Sequence, residues 1–276
     1  MAIILSLRGK TAIVTGGANG IGRATAEQLA QAEATVIIFD IDDEAGQMVA
    51  AQGTNIHFIH CDMGNKQDID RAYHEAIDSN KKIDILINNV GIEVLDGHIM
   101  EMSEQGIANM EQVNVQGPFH LTRRIMNHMQ KHGGCITFVA STQALIVEGA
   151  PSVYNIQKNT ILGMVKAFAV AGGPFGIRVN AVSPGAIATE GMGSAESAGE
   201  ERIRAINHNT PLGRRGRPEE VAHEIINLCF AKYTTGDNRL VDGGFSKVAL
   251  PVELRPSKRS VLNDPDAAFF NHISRE

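Results

Sequence analysis

Tyr154 and Lys158 stand four residues apart in the run Tyr154-Asn155-Ile156-Gln157-Lys158, with Ser141 thirteen positions upstream. On a helix that spacing puts the phenol and the ammonium on one face, a turn apart. An ammonium beside a phenol favours the phenolate, so Tyr154 is expected to ionise well below the ~10 of an isolated tyrosine. A tyrosine tuned in this way can act as a general acid/base. The same pattern also arises where an aromatic ring packs on the stem of a snorkelling lysine, and the five residues alone do not separate the two.

A second chemical signal lies near the N-terminus. Thr11-Ala12-Ile13-Val14 is a short apolar run that feeds Thr15-Gly16-Gly17-Ala18-Asn19-Gly20-Ile21-Gly22, and a helical pattern with Ala24, Ala26, Leu29 and Ala30 follows at once. Strand, glycine turn and helix form the setting in which a pyrophosphate meets main-chain N–H groups. Gly16, Gly20 and Gly22 are spaced Gly-x-x-x-Gly-x-Gly, unlike the commoner G-x-G-x-x-G fingerprint. A tight turn with no ligand is the alternative. The next buried run, residues 35–39, ends in Asp40, eighteen positions past Gly22. A carboxylate there is placed to accept the adenosine ribose hydroxyls and to repel a 2′-phosphate. Ile41 adds no compensating charge, so the expected cofactor is NAD rather than NADP. A solvated Asp40 at the helix start of Asp42-Asp43-Glu44 is the competing account.

The elements that must position these groups follow from periodicity. Residues 56–61 read as a third strand closed by Asp62-Met63, a polar helix spans roughly 66–79, and residues 83–87 form a fourth strand ending in Asn88-Asn89-Val90-Gly91. A long helix is expected from about 103 to 131, with Asn114 in its middle. A buried amide there demands hydrogen-bond partners. Residues 135–140 make a fifth strand that delivers Ser141 to the same edge. The helix of Tyr154 runs to about residue 171 on a stripe of Ile161, Leu162, Val165 and Phe168, and Gly172-Gly173-Pro174 stops it. Residues 177–182 are a sixth strand before Ser183-Pro184-Gly185, and residues 239–244 a seventh with its stop. Between them, residues 186–216 are small and polar (Gly191, Gly193, Ser194, Ser197, Gly199) and read either as a lid or as a mobile surface loop. Pro218-Glu219-Glu220 opens a last helix. Strands alternating with helices throughout predict an α/β fold, a doubly wound seven-stranded parallel sheet with helices on both faces.

The 276 residues, 43% hydrophobic and 20% charged, suit one domain with a substantial core. A net charge of −6 argues against nucleic acid or an anionic membrane surface as partner. No apolar run reaches the ~18 residues of a membrane span, and Ala2-Ile3-Ile4-Leu5 is too short for a signal-peptide core. Cys61, Cys135 and Cys229 are far apart and read as reduced core thiols in a cytoplasm. No histidine and carboxylate cluster has ligand spacing, so no metal is expected.

Taken in order, Thr15-Gly16, Gly20-Ile21-Gly22, Asp40, Asp62, Asn88-Asn89-Val90-Gly91, Asn114, Ser141, Tyr154 with Lys158, Pro184-Gly185 with Thr189, and Val241-Asp242-Gly243-Gly244 resemble the single-domain short-chain dehydrogenase/reductase family. The resemblance covers about residues 7–245. It implies a Rossmann-like domain over 1–245 with the substrate site built in, and leaves 246–276 as an extension, either an arm or a flexible tail. Within the family Tyr154 is the general acid/base, and Lys158 lowers its pKa and holds the nicotinamide ribose. Ser141 orients the substrate oxygen, and Asn114 binds a water that continues a proton relay from Lys158. Cofactor contacts are implied for Gly16, Asn19, Gly20, Ile21, Gly22, Asp40, Ile41, Asp62, Met63, Asn89, Gly91, Tyr154, Lys158, Pro184, Gly185, Ile187 and Thr189. The stretch from Pro184 to Thr189 holds the carboxamide. Ser141, Gln143 and Tyr154 are the expected substrate contacts, with Glu93, His98, Glu148 and Met192 in pocket-facing stretches. The expected partners are a small-molecule alcohol or ketone and identical subunits in a dimer or tetramer. Spacing four between Tyr154 and Lys158 separates the chain from related enoyl reductases. Ile156 and Gln157 depart from the small residues usual there, and Val90 replaces an alanine. The activity expected is NAD-dependent interconversion of a secondary alcohol, cyclic ones included, and its ketone. A 3-oxoacyl thioester reductase and a nucleotide-binding module without turnover are the rivals.

Overall fold

The computed structural model describes residues 6–53, 55–80, 82–93, 99–147, 152–189 and 200–248. Among the described residues there are seven strands: β1 Thr11–Thr15, β2 Thr35–Asp40, β3 Ile56–His60, β4 Ile85–Asn88, β5 Gly134–Val139, β6 Ile177–Pro184 and β7 Asn238–Val241. They join in one sheet ordered β3-β2-β1-β4-β5-β6-β7, and every pairing is parallel. The chain moves outward from β1 to β3, then crosses back to lay β4 on the other side of β1. The carboxyl ends of β1 and β4 therefore border the switch point where open α/β sheets hold ligands.

Side chains alternate across the sheet as a strand period of two requires. β1 sends Ala12 and Val14 into one core and Ile13 into the other, and β2 divides Val36 and Ile38 from Ile37 and Phe39. Helices α1 Gly20–Gln31, α2 Asp43–Ala50 and α8 Pro218–Phe230 cover the first face through Leu29, Val49, Val221 and Ile225. On the second face α3 Lys66–Asn80, α5 Gly117–Met129 and α6 Val153–Gly172 bring Ile69, Leu121, Ile125, Ile161 and Val165. With both faces covered, the strands are nearly continuous apolar runs.

Several boundaries differ from the sequence expectation. β3 ends at His60, and β4 starts at Ile85, just after Asp84, whose carboxylate pairs with Lys10 at 2.9 Å and Lys82 at 2.7 Å. β7 stops at Val241, where Gly243 and Gly244 take left-handed φ of 61° and 87°. The expected helix over 103–131 is three pieces: α4 Glu104–Glu111, a π-helical turn Gln112–Gln116, and α5. Residues 186–216 contain a helix, α7 Glu200–Asn209, which the sequence reading missed because its charged and amide residues carry little apolar stripe. Within the candidate lid, residues 190–199 with Met192 lie outside the described residues, as do His98, Glu148 and the extension beyond 248.

Candidate active site

The glycine turn joins β1 to α1 and is shaped by steric necessity. Gly16 takes φ of 65° and Gly20 φ of 53°, which side-chain-bearing residues rarely adopt. A Cβ on Gly22 would run into the Gly16 carbonyl, so the first turn of α1 packs directly on the loop. Asn19, in extended geometry, is the N-cap of α1, and Ile21 follows in its first turn. The turn is stitched to β4. Asn89 donates from Nδ2 to the Thr15 and Gly16 carbonyls at 3.0 and 3.1 Å, while Thr15 Oγ1 accepts the Asn89 and Val90 N–H groups at 3.0 and 3.2 Å. Asn89 thus braces the turn from the protein side.

Asp40 closes β2 beside this loop. Its carboxylate accepts from Ala18 N at 3.0 Å, reaching into the turn, and from Ile41 N and Asp42 N at 2.8 and 3.1 Å. The helix-cap alternative falls to its neighbour: Asp42 caps α2 by accepting from Ala45 N at 3.0 Å. Past β3, the exposed Asp62 accepts from Gly64 N at 2.8 Å, and Met63 is buried beneath. At the far side, Pro184 ends β6 and Gly185 donates to the Val241 carbonyl at 3.0 Å. A Cβ on Gly185 would lie 2.9 Å from the Asp242 main chain, so this crossing also needs glycine. Ile187 is buried and pairs with Gly216 in an isolated bridge, which carries Thr189 back to the glycine turn. A Cβ on Gly20 would stand 3.1 Å from Thr189 Cγ2.

Tyr154 and Lys158 occupy the first two turns of α6, and Lys158 Nζ lies 5.3 Å from the centre of the Tyr154 ring. Asn155 opens the helix by accepting from Ser152 N at 3.0 Å. Lys158 is 4% exposed and donates to the Val139 carbonyl at the end of β5, at 2.9 Å. Burial pushes its pKa down to about 8, against the opposing pull of Glu93. Ser141, two residues past β5, caps the short turn Thr142–Ala144 that packs on α6; its Oγ accepts from Gln143 N at 3.1 Å. The hydroxyl hydrogen takes no part in that bond. Gln143 turns its amide toward α6, where Asn155 Nδ2 donates to its Oε1 at 3.3 Å and to its carbonyl at 3.2 Å.

Asn114 explains the π-helical turn. The extra residue swings its buried amide toward the end of β4, where Oδ1 accepts from Ile92 N and Nδ2 donates to Ile92 O, both at 2.8 Å. The second Nδ2 hydrogen goes to Gln157 Oε1 at 2.8 Å. Gly91 lies between Asn114 and Lys158: a Cβ there would be 3.2 Å from Lys158 Nζ and 3.6 Å from Asn114 Oδ1. Asn114, Tyr154, Lys158 and Gly91 therefore share one place, with Ser141 on the β5 end beside it. Sequence reasoning missed the Val139 carbonyl, the Asn155–Gln143 bond and the Asn114–Gln157 bond. The first is main chain and leaves no residue signal. The other two were visible only as amides flanking Tyr154 on its helix.

A family model described as "Enoyl-(Acyl carrier protein) reductase" matches residues 16–246. Cyclopentanol dehydrogenase of Comamonas testosteroni is 34% identical over 244 residues, 86% of this chain and 97% of that protein. Secoisolariciresinol dehydrogenase of Forsythia intermedia is 35% identical over 255 residues, covering 89% and 92%. Among solved structures, 3-ketoacyl-(acyl-carrier-protein) reductase from Brucella melitensis, complexed with NADH, superposes with a TM-score of 0.81 at 30% identity over 87% of this chain and all of that one. Together with the parallel seven-stranded sheet, these matches place the chain in the short-chain dehydrogenase/reductase family of oxidoreductases.

Proposed function

We propose that the protein is an NAD-dependent dehydrogenase that interconverts a secondary alcohol, cyclic ones included, and its ketone. The observation that carries this reading is the buried Lys158 ammonium, fixed by the Val139 carbonyl and 5.3 Å from the Tyr154 ring. A cation held there favours tyrosinate over tyrosine. In oxidation Tyr154 takes the alcohol proton, and the Ser141 hydroxyl donates to the substrate oxygen. A nicotinamide cofactor held beside Tyr154 and Lys158 would supply the acceptor, or in reduction the donor, of the carbinol hydride. The residues fit such a cofactor. At Gly20 a Cβ would press on Thr189 Cγ2 at 3.1 Å, so glycine keeps this approach clear of a side chain, and the N–H groups at the start of α1 suit a pyrophosphate.

Asp40 supports NAD over NADP, because a 2′-phosphate beside its carboxylate would be repelled. Asp62 and Met63 border the adenine side, and Pro184, Gly185, Ile187 and Thr189 the carboxamide side. Ser141 and Gln143 join Tyr154 toward substrate. The cyclopentanol dehydrogenase relative favours a cyclic alcohol. The second reading, a 3-oxoacyl thioester reductase, draws on the Brucella melitensis neighbour. The same proposal includes assembly into a homo-oligomer.

The deciding experiment is a spectrophotometric panel of secondary alcohols, sugars, steroids, dihydrodiols and a 3-oxoacyl thioester, run in parallel with NAD(H) and NADP(H). Turnover of secondary alcohols with a clear preference for NAD is expected. Equal use of both cofactors would sink the NAD assignment. Turnover confined to the thioester would establish the second reading, and a blank panel with cofactor bound would leave a non-catalytic module.

A further inference from the structure

Gln157 sits between Tyr154 and Lys158 on α6 and is 2% exposed. Its Oε1 accepts from Asn114 Nδ2 at 2.8 Å, while its Nε2 is sealed from solvent with no acceptor among the described residues. A buried N–H donor without a partner costs about 1–3 kcal/mol. An apolar side chain of the same reach fills such a place without that cost, so mere packing does not account for a glutamine. Its partner Asn114 has no spare donor, because its two Nδ2 hydrogens go to Ile92 O and Gln157 Oε1. Asn114 Oδ1 and Lys158 Nζ both border the space left open by Gly91.

We propose that Gln157 is a positioning residue for proton transfer at Tyr154 and Lys158: its Oε1 takes the remaining amide hydrogen of Asn114, and its Nε2 donates to an internal water on the proton path. The proposal rests on the acid/base reading of Tyr154 given above. Both main-chain groups of Ile92 hold Asn114 with its oxygen toward the Gly91 gap, and Gln157 takes its remaining amide hydrogen. Without Gln157 that hydrogen is left buried with no acceptor, and the internal water that supports the Lys158 ammonium loses its Nε2 donor. Weaker support for Lys158 as a cation in turn disfavours tyrosinate. Among the described residues, the titratable groups at this place are Tyr154 and Lys158 on α6 and, acting on Lys158 through its charge, Glu93 from the segment after β4.

The test compares Gln157→Leu with the parent enzyme by two readouts: the pH profile of kcat for alcohol oxidation, and the tyrosinate absorbance of the protein titrated with bound NAD. The chain has three tyrosines and no tryptophan, so subtracting the Tyr154→Phe titration isolates Tyr154. Gln157→Leu is expected to lower kcat about tenfold, the size of one buried hydrogen bond. It is also expected to move the acid-side limb and the Tyr154 titration to higher pH, with little change in KM. An unmoved limb and titration would overturn the proposal even if kcat or Tm fell, since a packing defect lowers both without shifting an ionisation. Gln157→Met, unbranched and adaptable, serves with the same outcomes if the leucine variant does not fold. Wild-type turnover by Tyr154→Phe would instead defeat the acid/base reading, and the Tyr154 titration would still report what Gln157 does.

Discussion

At the residue scale the proposal divides binding from chemistry, and one oxygen atom tests the division. Tyr154→Phe keeps the ring near Lys158 and removes the hydroxyl. Turnover is expected to fall at least ~100-fold, the low end for loss of a general acid/base. NADH binding, followed by fluorescence, is expected to stay within about twofold. Retained turnover would move the proton transfer to another group. The pairing of Tyr154 with Lys158 was legible because i and i+4 face the same way on any helix. The acceptor that anchors Lys158 was not, because the Val139 carbonyl belongs to a strand nineteen residues earlier. Gln143 shows the same limit. Its place beside Ser141 was readable, but the bonds that turn its amide toward Asn155 were not.

At the element scale, α6 carries the cost of burying an ammonium. The pKa of Lys158 lies near 8 in the folded chain, chiefly through burial, against 10.5 when exposed. Between those values the unfolded chain binds more protons than the folded one, so stability rises with pH across that window. Below about pH 8 the ammonium weighs fully against folding. Chemical denaturation of the cofactor-free protein and of Lys158→Met is expected to show the difference. Relative to the methionine variant, the parent gains on the order of 3 kcal/mol between pH 7.5 and 10.5. A constant difference across that range would mean that Lys158 titrates as an exposed lysine. The α4–π–α5 segment makes a related point. An apolar and polar pattern continuous over 103–131 predicts one helix, and nothing local announces an extra residue in the turn. The break follows from the need of the Asn114 amide to meet both main-chain groups of Ile92.

At the scale of the whole molecule, α6 presents Ile156, Thr160, Gly163, Ala167 and Val170 to solvent on successive turns, with Ile156 57% and Val170 80% exposed. Small and apolar side chains on one helix face suit a second copy of the same chain. Light scattering is expected to return a dimer or tetramer, and Gly163→Arg, which adds a long cation where a Cβ meets nothing within 4 Å, is expected to dissociate it. A monomeric parent protein would remove the oligomer from the proposal.

The sequence by itself determined the order of the seven strands, the helices with a clear apolar stripe, the two-faced sheet and the glycine turn. Each of these is written in local terms, as a period of 2 or 3.6 residues or as a backbone angle that only glycine accepts readily. Only the tertiary structure decided what surrounds Lys158. The Val139 carbonyl, the Gly91 gap and the Ile92–Asn114–Gln157 chain of amide bonds come from four separate segments. Their meeting depends on how helices dock on the sheet, and no pattern within one segment encodes that.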